Sequence, residues 1–267
     1  MSYHHLTMDE RNVICRMQFQ GYGQAEIARC LGRHRSTISR EYKRNGSAEG
    51  RYDPGNAQTL AHSRRRVYLA LLAEQADKYG LEVVGYCLLS NHVHLVAIPH
   101  AEEALAQAVG RTHFRYSQYV NRLHGRSGHL WQGRFHSCAL DERHFWQALK
   151  YVELNPVRAR LCRKPWRYAW SSAAAHTDAQ ATSELLDLPR WYEQISAAAW
   201  RRELAEGLTD AEMERLGLRT HTGRPLGSDR FLSKLETMLG RRLRPRPIGR
   251  PRKTKKRKTK NGNRSHK

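Results

Sequence analysis

Apolar positions recur with helical spacing along most of this chain, broken by one short block with the period of a strand. Thr7 begins the first helical stretch with Glu10 at the capping-box position, and Val13, Ile14, Met17 and Phe19 supply its apolar side. Gly21 and Gly23 interrupt it. A short helix over Gln24–Leu31 follows, with Ile27, Ala28 and Leu31 inward, then a turn at Gly32 and a third helix from about Ser36 to Arg44. Helical spacing resumes over residues 67–79 through Tyr68, Leu69, Leu71, Leu72 and Ala76. Leu81–Leu89 then reads as a strand, Ser90 and Asn91 as a tight turn, and His92–Ile98 as the antiparallel partner. A long helix is predicted over about 102–123, a short strand over Phe135–Leu140, and a further helix from about Arg143. Residues 175–240 read as helices of modest amphipathicity. This order predicts an α+β fold, an antiparallel sheet with helices on one face, preceded by an all-α unit and followed by a helical region and a basic tail.

Within the strand block, His92 and His94 stand in an otherwise apolar run. Period two puts Val93 and Leu95 on one face and His92, His94, Val96 and Ile98 on the other. Two adjacent imidazoles in a covered strand need a polar partner. A divalent cation meets that need; hydrogen bonds to backbone or to a carboxylate meet it equally well.

The three-helix unit carries A-E-I-A-x-x-L-G followed by R-S-T-I-S-R-E, the pattern of a helix-turn-helix. Its second helix would offer Arg35, Ser36, Thr37, Ser39, Arg40 and Lys43 to base edges in a major groove. Charge points the same way. Lys and Arg total 47 against 25 acids, a formal net charge of +22, and a surplus of that size calls for a polyanion, nucleic acid before membrane. Residues 241–267 hold no acid and fourteen of the basic residues. The five cysteines form no C-x-x-C pair, which argues against a zinc ribbon or a disulfide framework. No run approaches the length of a membrane span and no signal-peptide pattern opens the chain, so a soluble protein of the bacterial cytoplasm, associated with the nucleoid, is expected. The predicted units are a helix-turn-helix domain over 1–50, a basic linker over 51–66, a catalytic domain over 67–175, a helical region over 176–240 and a disordered basic tail over 241–267.

Three passages together resemble one family. They are Tyr86-Cys-Leu-Leu-Ser-Asn-His92-Val-His94-Leu-Val, Gly128-His-Leu-Trp131-Gln-Gly-Arg134-Phe135, and Tyr151-Val-Glu-Leu-Asn155-Pro156-Val-Arg158-Ala. The combination is similar to the REP-associated tyrosine transposases, relatives of the HUH single-tyrosine transposases, and Trp166-Arg-Tyr168-Ala-Trp170-Ser-Ser172 fits the same likeness. Residues 7–66 resemble the N-terminal helix-turn-helix of certain DDE transposases. No acidic triad follows in a ribonuclease-H-like pattern, which sets a DDE reaction aside.

The resemblance implies a ferredoxin-like HUH sheet in which His92 and His94, with Asn155, hold Mg²⁺ or Mn²⁺, and Tyr151 is the nucleophile. Cleavage and rejoining of single-stranded or hairpin DNA through a 5′-phosphotyrosine would follow, with duplex DNA held by the helix-turn-helix and a homodimer as one working form. Tyr151 and Asn155 stand four residues apart and share a helix face, while a phenol whose free pKa is about 10 needs help to attack. Read without the family, Tyr151 is first a core tyrosine, and Tyr116 and Tyr119 compete for the nucleophile's place. Arg115, Trp131, Arg134 and Arg158 are further candidate DNA contacts, as are Tyr168 and Trp170. Arg250 and Arg252, in a Gly-Arg-Pro-Arg element resembling an AT-hook, suit a narrow minor groove.

The family's catalytic domain normally opens with an H-x-V-T-type strand. The only similar stretch here is Tyr3-His-His-Leu-Thr7, beyond the helix-turn-helix. Either it pairs into the sheet across the inserted helical unit, or a central strand is absent. A chain lacking that strand would be a sequence-specific DNA-binding regulator without catalysis.

Overall fold

The computed structural model describes residues 6–46 and 52–244. Three helices open it: α1 (Met8–Phe19), α2 (Gln24–Cys30) and α3 (Arg35–Asn45). Thr7 caps α1 in the expected capping box, its Oγ1 accepting from Glu10 N–H at 3.2 Å while Glu10 Oε2 accepts from Thr7 N–H at 2.7 Å. Gly32 takes φ +60° at the turn between α2 and α3, a conformation that favours glycine. Ile14, Ile27 and Ile38 are fully buried against each other, with Tyr52 and Ala57 closing the small core. Phe19, expected on the apolar side, is 95% exposed. It is the last residue of α1, beyond the isoleucine cluster that α2 and α3 cover.

The chain then enters α4 (Pro54–Tyr79), a 26-residue helix. Residues 54–66 of the basic connecting stretch are therefore helical. Buried Arg64 joins the two units: its Nη1 donates to the Arg44 carbonyl at 3.2 Å and its Nη2 to Asn45 Oδ1 at 2.5 Å. Gly80, at φ +67°, ends α4 and leads into the sheet.

β1 (Leu81–Leu88) and β2 (Val93–Pro99) pair antiparallel, with Cys87 opposite His94. A register irregularity lies between Val83 and Gly85. One extra residue reverses which parity faces which side. Leu81 and Val83 pack on one side before it; Cys87 packs on the other after it. On the first side, Val93, Leu95 and Ala97 meet α4 and α5 (Ala104–Leu123); on the second, Val96 meets α6 (Glu142–Glu153). The helices thus cover both faces of the sheet rather than one. A Cβ on Gly85 would fall 2.1 Å from Leu149 Cδ1, so glycine is what lets α6 sit this close to β1.

Among the described residues the sheet has two strands. The strand expected over Phe135–Leu140 is absent; Leu140 makes only an isolated parallel bridge with Leu226. Phe135 packs with the α4–α5 layer whereas Cys138 and Leu140 pack with the α6 layer. The segment crosses from one side of the sheet to the other, and its alternation follows two different cores. The outer edge of β1 is instead met by residues 170–172: Leu88 N–H donates to the Trp170 carbonyl at 2.8 Å and Ser172 N–H to the Tyr86 carbonyl at 3.0 Å. Thr7 belongs to the α1 cap, and Tyr3, His4 and His5 lie outside the described residues.

The remaining helices are α7 (Asn155–Arg158), α8 (Ala173–His176), α9 (Leu188–Gln194), α10 (Ala197–Glu206), α11 (Asp210–Thr222) and α12 (Asp229–Leu239). Several converge on Glu153 of α6, which is fully buried. It accepts from Ser172 Oγ at 2.5 Å, His176 Nδ1 at 2.6 Å and Trp200 Nε1 at 2.8 Å. His176 also stacks on Trp191, with ring centroids 3.9 Å apart. Among the described residues no helix is long and apolar enough to cross a membrane.

Candidate active site

His92 ends the β1–β2 turn and His94 is the second residue of β2, so both present their rings on the α6 side. Their centroids lie 4.9 Å apart, edge to face. His92 is exposed, and its Nδ1 meets Asn91 Oδ1 at 2.8 Å. An amide oxygen only accepts, so this contact suits a hydrogen on Nδ1, and in the neutral ring that leaves Nε2 as the nitrogen able to ligate, with Asn91 as its outer partner.

Tyr151 comes to this pair from α6. Its ring meets His94 edge-on, with centroids 6.0 Å apart. The residue is only 9% exposed and shares its cluster with Leu216 of α11. The hydroxyl accepts a hydrogen bond from Arg158 Nη2 at 3.1 Å, and the same guanidinium lies 4.1 Å from the ring centroid. Tyr116 and Tyr119 do not compete for this place. They lie on α5; Tyr116 packs with Tyr68 and Trp131 in the layer beneath the opposite face of the sheet. Burial pushes the Tyr116 phenol above its ordinary range.

Asn155 follows Tyr151 by four residues, across the single break at Leu154 where α6 ends and α7 begins. It is buried, and its Nδ2 has no hydrogen-bond partner among the described residues. No three His, Cys, Asp or Glu side chains gather into a metal-binding group among those residues. A ligating asparagine uses its Oδ1, whereas the unpartnered atom here is the Nδ2 donor; with that oxygen, two imidazoles and one amide would make a donor set that suits divalent first-row ions.

The other expected contacts divide into two kinds. Trp131 is a packing residue: it stacks on His113 at 3.9 Å between centroids, and its Nε1 donates to the His113 carbonyl at 3.1 Å. Burial pulls that histidine down to about 4. Trp170 is buried, and Tyr168 donates its hydroxyl hydrogen to the Leu88 carbonyl at 2.8 Å. Arg134 is exposed in the loop, and exposed Arg115 pairs with Glu74. On α3, Arg35, Arg40 and Lys43 are exposed and Ser36, Thr37 and Ser39 half-buried, opposite the Ile38 side. Ser36 helps start the helix, its N–H donating to His34 Nδ1 at 3.2 Å. Arg250 and Arg252 lie outside the described residues.

Residues 2–45 match the family model described as a helix-turn-helix domain. Residues 56–155 match the one described as Transposase IS200 like, a span that contains His92, His94, Tyr151 and Asn155. The chain carries an IS200-like transposase domain. No curated relative and no solved structure matches it. The transposase domain supports DNA cleavage as the general activity, with the helix-turn-helix as a DNA-binding unit.

Two features of the transposase domain escaped the sequence reading. Arg158 was expected as a DNA contact, but its contact with the Tyr151 hydroxyl was not foreseen; it follows Tyr151 by seven residues, two helical turns, and that spacing is the signal that could have placed it. Glu153 was not singled out, although a lone carboxylate inside Tyr-Val-Glu-Leu announces a buried acid that must be satisfied.

Proposed function

We propose that the protein cleaves and rejoins single-stranded DNA at Tyr151. The observation that carries this reading is the meeting of the His94 and Tyr151 rings, which brings the H-x-H strand and the Y-x-x-x-N helix to one place. The phenol oxygen bonds to phosphorus, the P–O3′ bond breaks, and the 3′ oxygen takes up the proton. The resulting 5′-phosphotyrosine keeps a phosphodiester, so a second 3′ hydroxyl can reverse the step without an external energy source. Arg158 donates to the phenol oxygen and stabilises negative charge as it develops there. His92 and His94, with Asn155 as third ligand, would hold Mg²⁺ or Mn²⁺. Such an ion supplies Lewis-acid neutralisation of a phosphate oxygen when bound. Asn91 keeps His92 in the ligating tautomer, and the helix-turn-helix anchors adjoining duplex.

The test is a denaturing gel of labelled hairpin oligonucleotide mixed with the full chain. The reading predicts a covalent adduct with Mg²⁺ or Mn²⁺ and none in EDTA. The alternative, a DNA-binding regulator without strand cleavage, draws on the two-stranded sheet and the burial of Tyr151. It predicts no adduct under either condition, with duplex affinity unchanged by EDTA.

A further inference from the structure

A cavity of about 230 Å³ lies between the helix-turn-helix and the transposase domain. Thr37, Arg40 and Arg44 line it from α3, His62 and Arg65 from α4, and Ser90 and Trp170 from the sheet's edge. The spacing of 37, 40 and 44 is that of one helix face. It is neither the face buried through Ile38 and Asn45 nor the outer flank that carries Ser39 and Lys43. The recognition helix therefore has two basic flanks, and one of them faces the transposase domain.

The wall is strongly positive. Glu41 is its one acid, and it is engaged three times over: it pairs with Arg11 at 3.0 Å, and its Oε1 accepts from the Tyr52 hydroxyl at 2.7 Å and from Asn45 Nδ2 at 2.9 Å. Among the described residues no carboxylate pairs with Arg40, Arg44 or Arg65. Arg65 Nε is buried and has no hydrogen-bond partner among those residues. Its guanidinium stands 5.7 Å from the centre of Trp170, which His62 meets edge-on at 5.2 Å. Burial, and after it the charges of Arg65, Arg66 and Arg11, hold His62 below its ordinary range. A half-buried guanidinium whose buried Nε is unused, two further arginines without a carboxylate partner and an aromatic ring form a site for a phosphate and the nucleotide attached to it.

We propose that this cavity binds a backbone phosphate of a DNA strand running from duplex held on α3 to single strand presented to the transposase domain. The proposal rests on the reading that both units act on one DNA. A DNA phosphate is favoured over a free anion because the walls come from both units. The flank of α3 that lines the cavity also adjoins the one offered to a groove. Ser90 belongs to the turn that ends at His92, so the cavity borders the loop leading to the histidine pair. The site would make the two units read a junction rather than bind two separate molecules.

The test compares the full chain on three mixed-sequence probes: a duplex with a single-stranded arm, the blunt duplex, and the single strand alone. Fluorescence anisotropy should give a preference for the forked probe. Arg65→Gln and Arg40→Gln should each cut that preference about five- to tenfold and lower its salt slope by about one. A methylphosphonate scan across the junction should find one position where neutralising the phosphate weakens the parent chain but leaves Arg65→Gln unchanged. Arg65→Lys should recover part of the preference, which a merely misfolded Arg65→Gln would not explain. Unchanged fork preference in both glutamine variants would overturn the proposal, as would loss in Arg65→Gln with Arg40→Gln at the parent level. Saturable binding of inorganic phosphate, abolished in Arg65→Gln while fork preference persists, would assign the cavity to a free anion instead. Absence of a covalent adduct would count against the Tyr151 chemistry alone and leave these binding results standing.

Discussion

Arg158 and Tyr151 form a paired unit: the guanidinium lies over the phenol ring and one of its nitrogens donates to the phenol oxygen at 3.1 Å. A cation in this position acts on the charge that develops during attack rather than on DNA affinity alone. Arg158→Gln should slow adduct formation about ten- to a hundredfold and weaken single-strand binding by less than about threefold, with Arg158→Lys recovering part of the rate. Rates and affinities falling by equal factors would place Arg158 in DNA binding only.

Gly217 of α11 faces the Tyr151 hydroxyl so closely that a Cβ there would sit 3.6 Å from it, an ordinary contact. Gly217→Ala should preserve adduct formation within about threefold and stabilise the fold by about 0.5–1 kcal/mol, since glycine is costly inside a helix. Gly217→Leu should occupy the space above the hydroxyl and cut adduct yield by about tenfold or more. Full activity in the leucine variant would mean that the DNA approaches Tyr151 from another side.

Glu153 anchors the helix that presents Tyr151, through three buried donors on two other segments, α8 with its cap Ser172 and α10. Glu153→Ala would leave His176 Nδ1 and Trp200 Nε1 without their acceptor, while Ser172 Oγ keeps the Tyr86 carbonyl at 3.3 Å, and should cost about 3 kcal/mol or more in urea unfolding. A loss below about 1 kcal/mol would show that water or a rearranged neighbour replaces the carboxylate.

His113 is neutral in the fold, with burial drawing it down to about 4. Its unfolded counterpart, near 6.5, takes a proton first as pH falls. The stability it contributes is therefore complete above about pH 6.5, declines through the interval below, and is lost as pH passes about 4. The swing should be on the order of 2 kcal/mol, read as a fall in melting temperature from pH 7 to pH 4.5. His113→Phe should flatten that dependence. An unchanged slope would assign the acid sensitivity to other groups.

What could be read in the sequence was whatever one element carries by itself. The capping box at Thr7, the inward Ile14 and Ile27 of the helix-turn-helix and the alternation that puts His94 and Val96 on one face are local patterns, and all three stand in the structure. The pairing of helix α6 with the histidine strand came from the family resemblance, not from periodicity. Long-range packing was not legible. The Phe135–Leu140 alternation mimics a strand because its apolar residues serve two cores in turn, and nothing in Trp170–Ser172 announces that its backbone meets the edge of β1. Trp131 looked like a stacking platform for bases; only the fold shows His113 against it.

Tyr151 as nucleophile is tested most directly by a single substitution. Full-length protein and Tyr151→Phe would be incubated with labelled hairpin DNA and Mn²⁺, then run on a denaturing gel beside a native binding gel. A covalent band in the parent chain and none in Tyr151→Phe, at equal native binding, is the predicted result. A covalent band that survives the substitution would contradict it and pass the role to another residue.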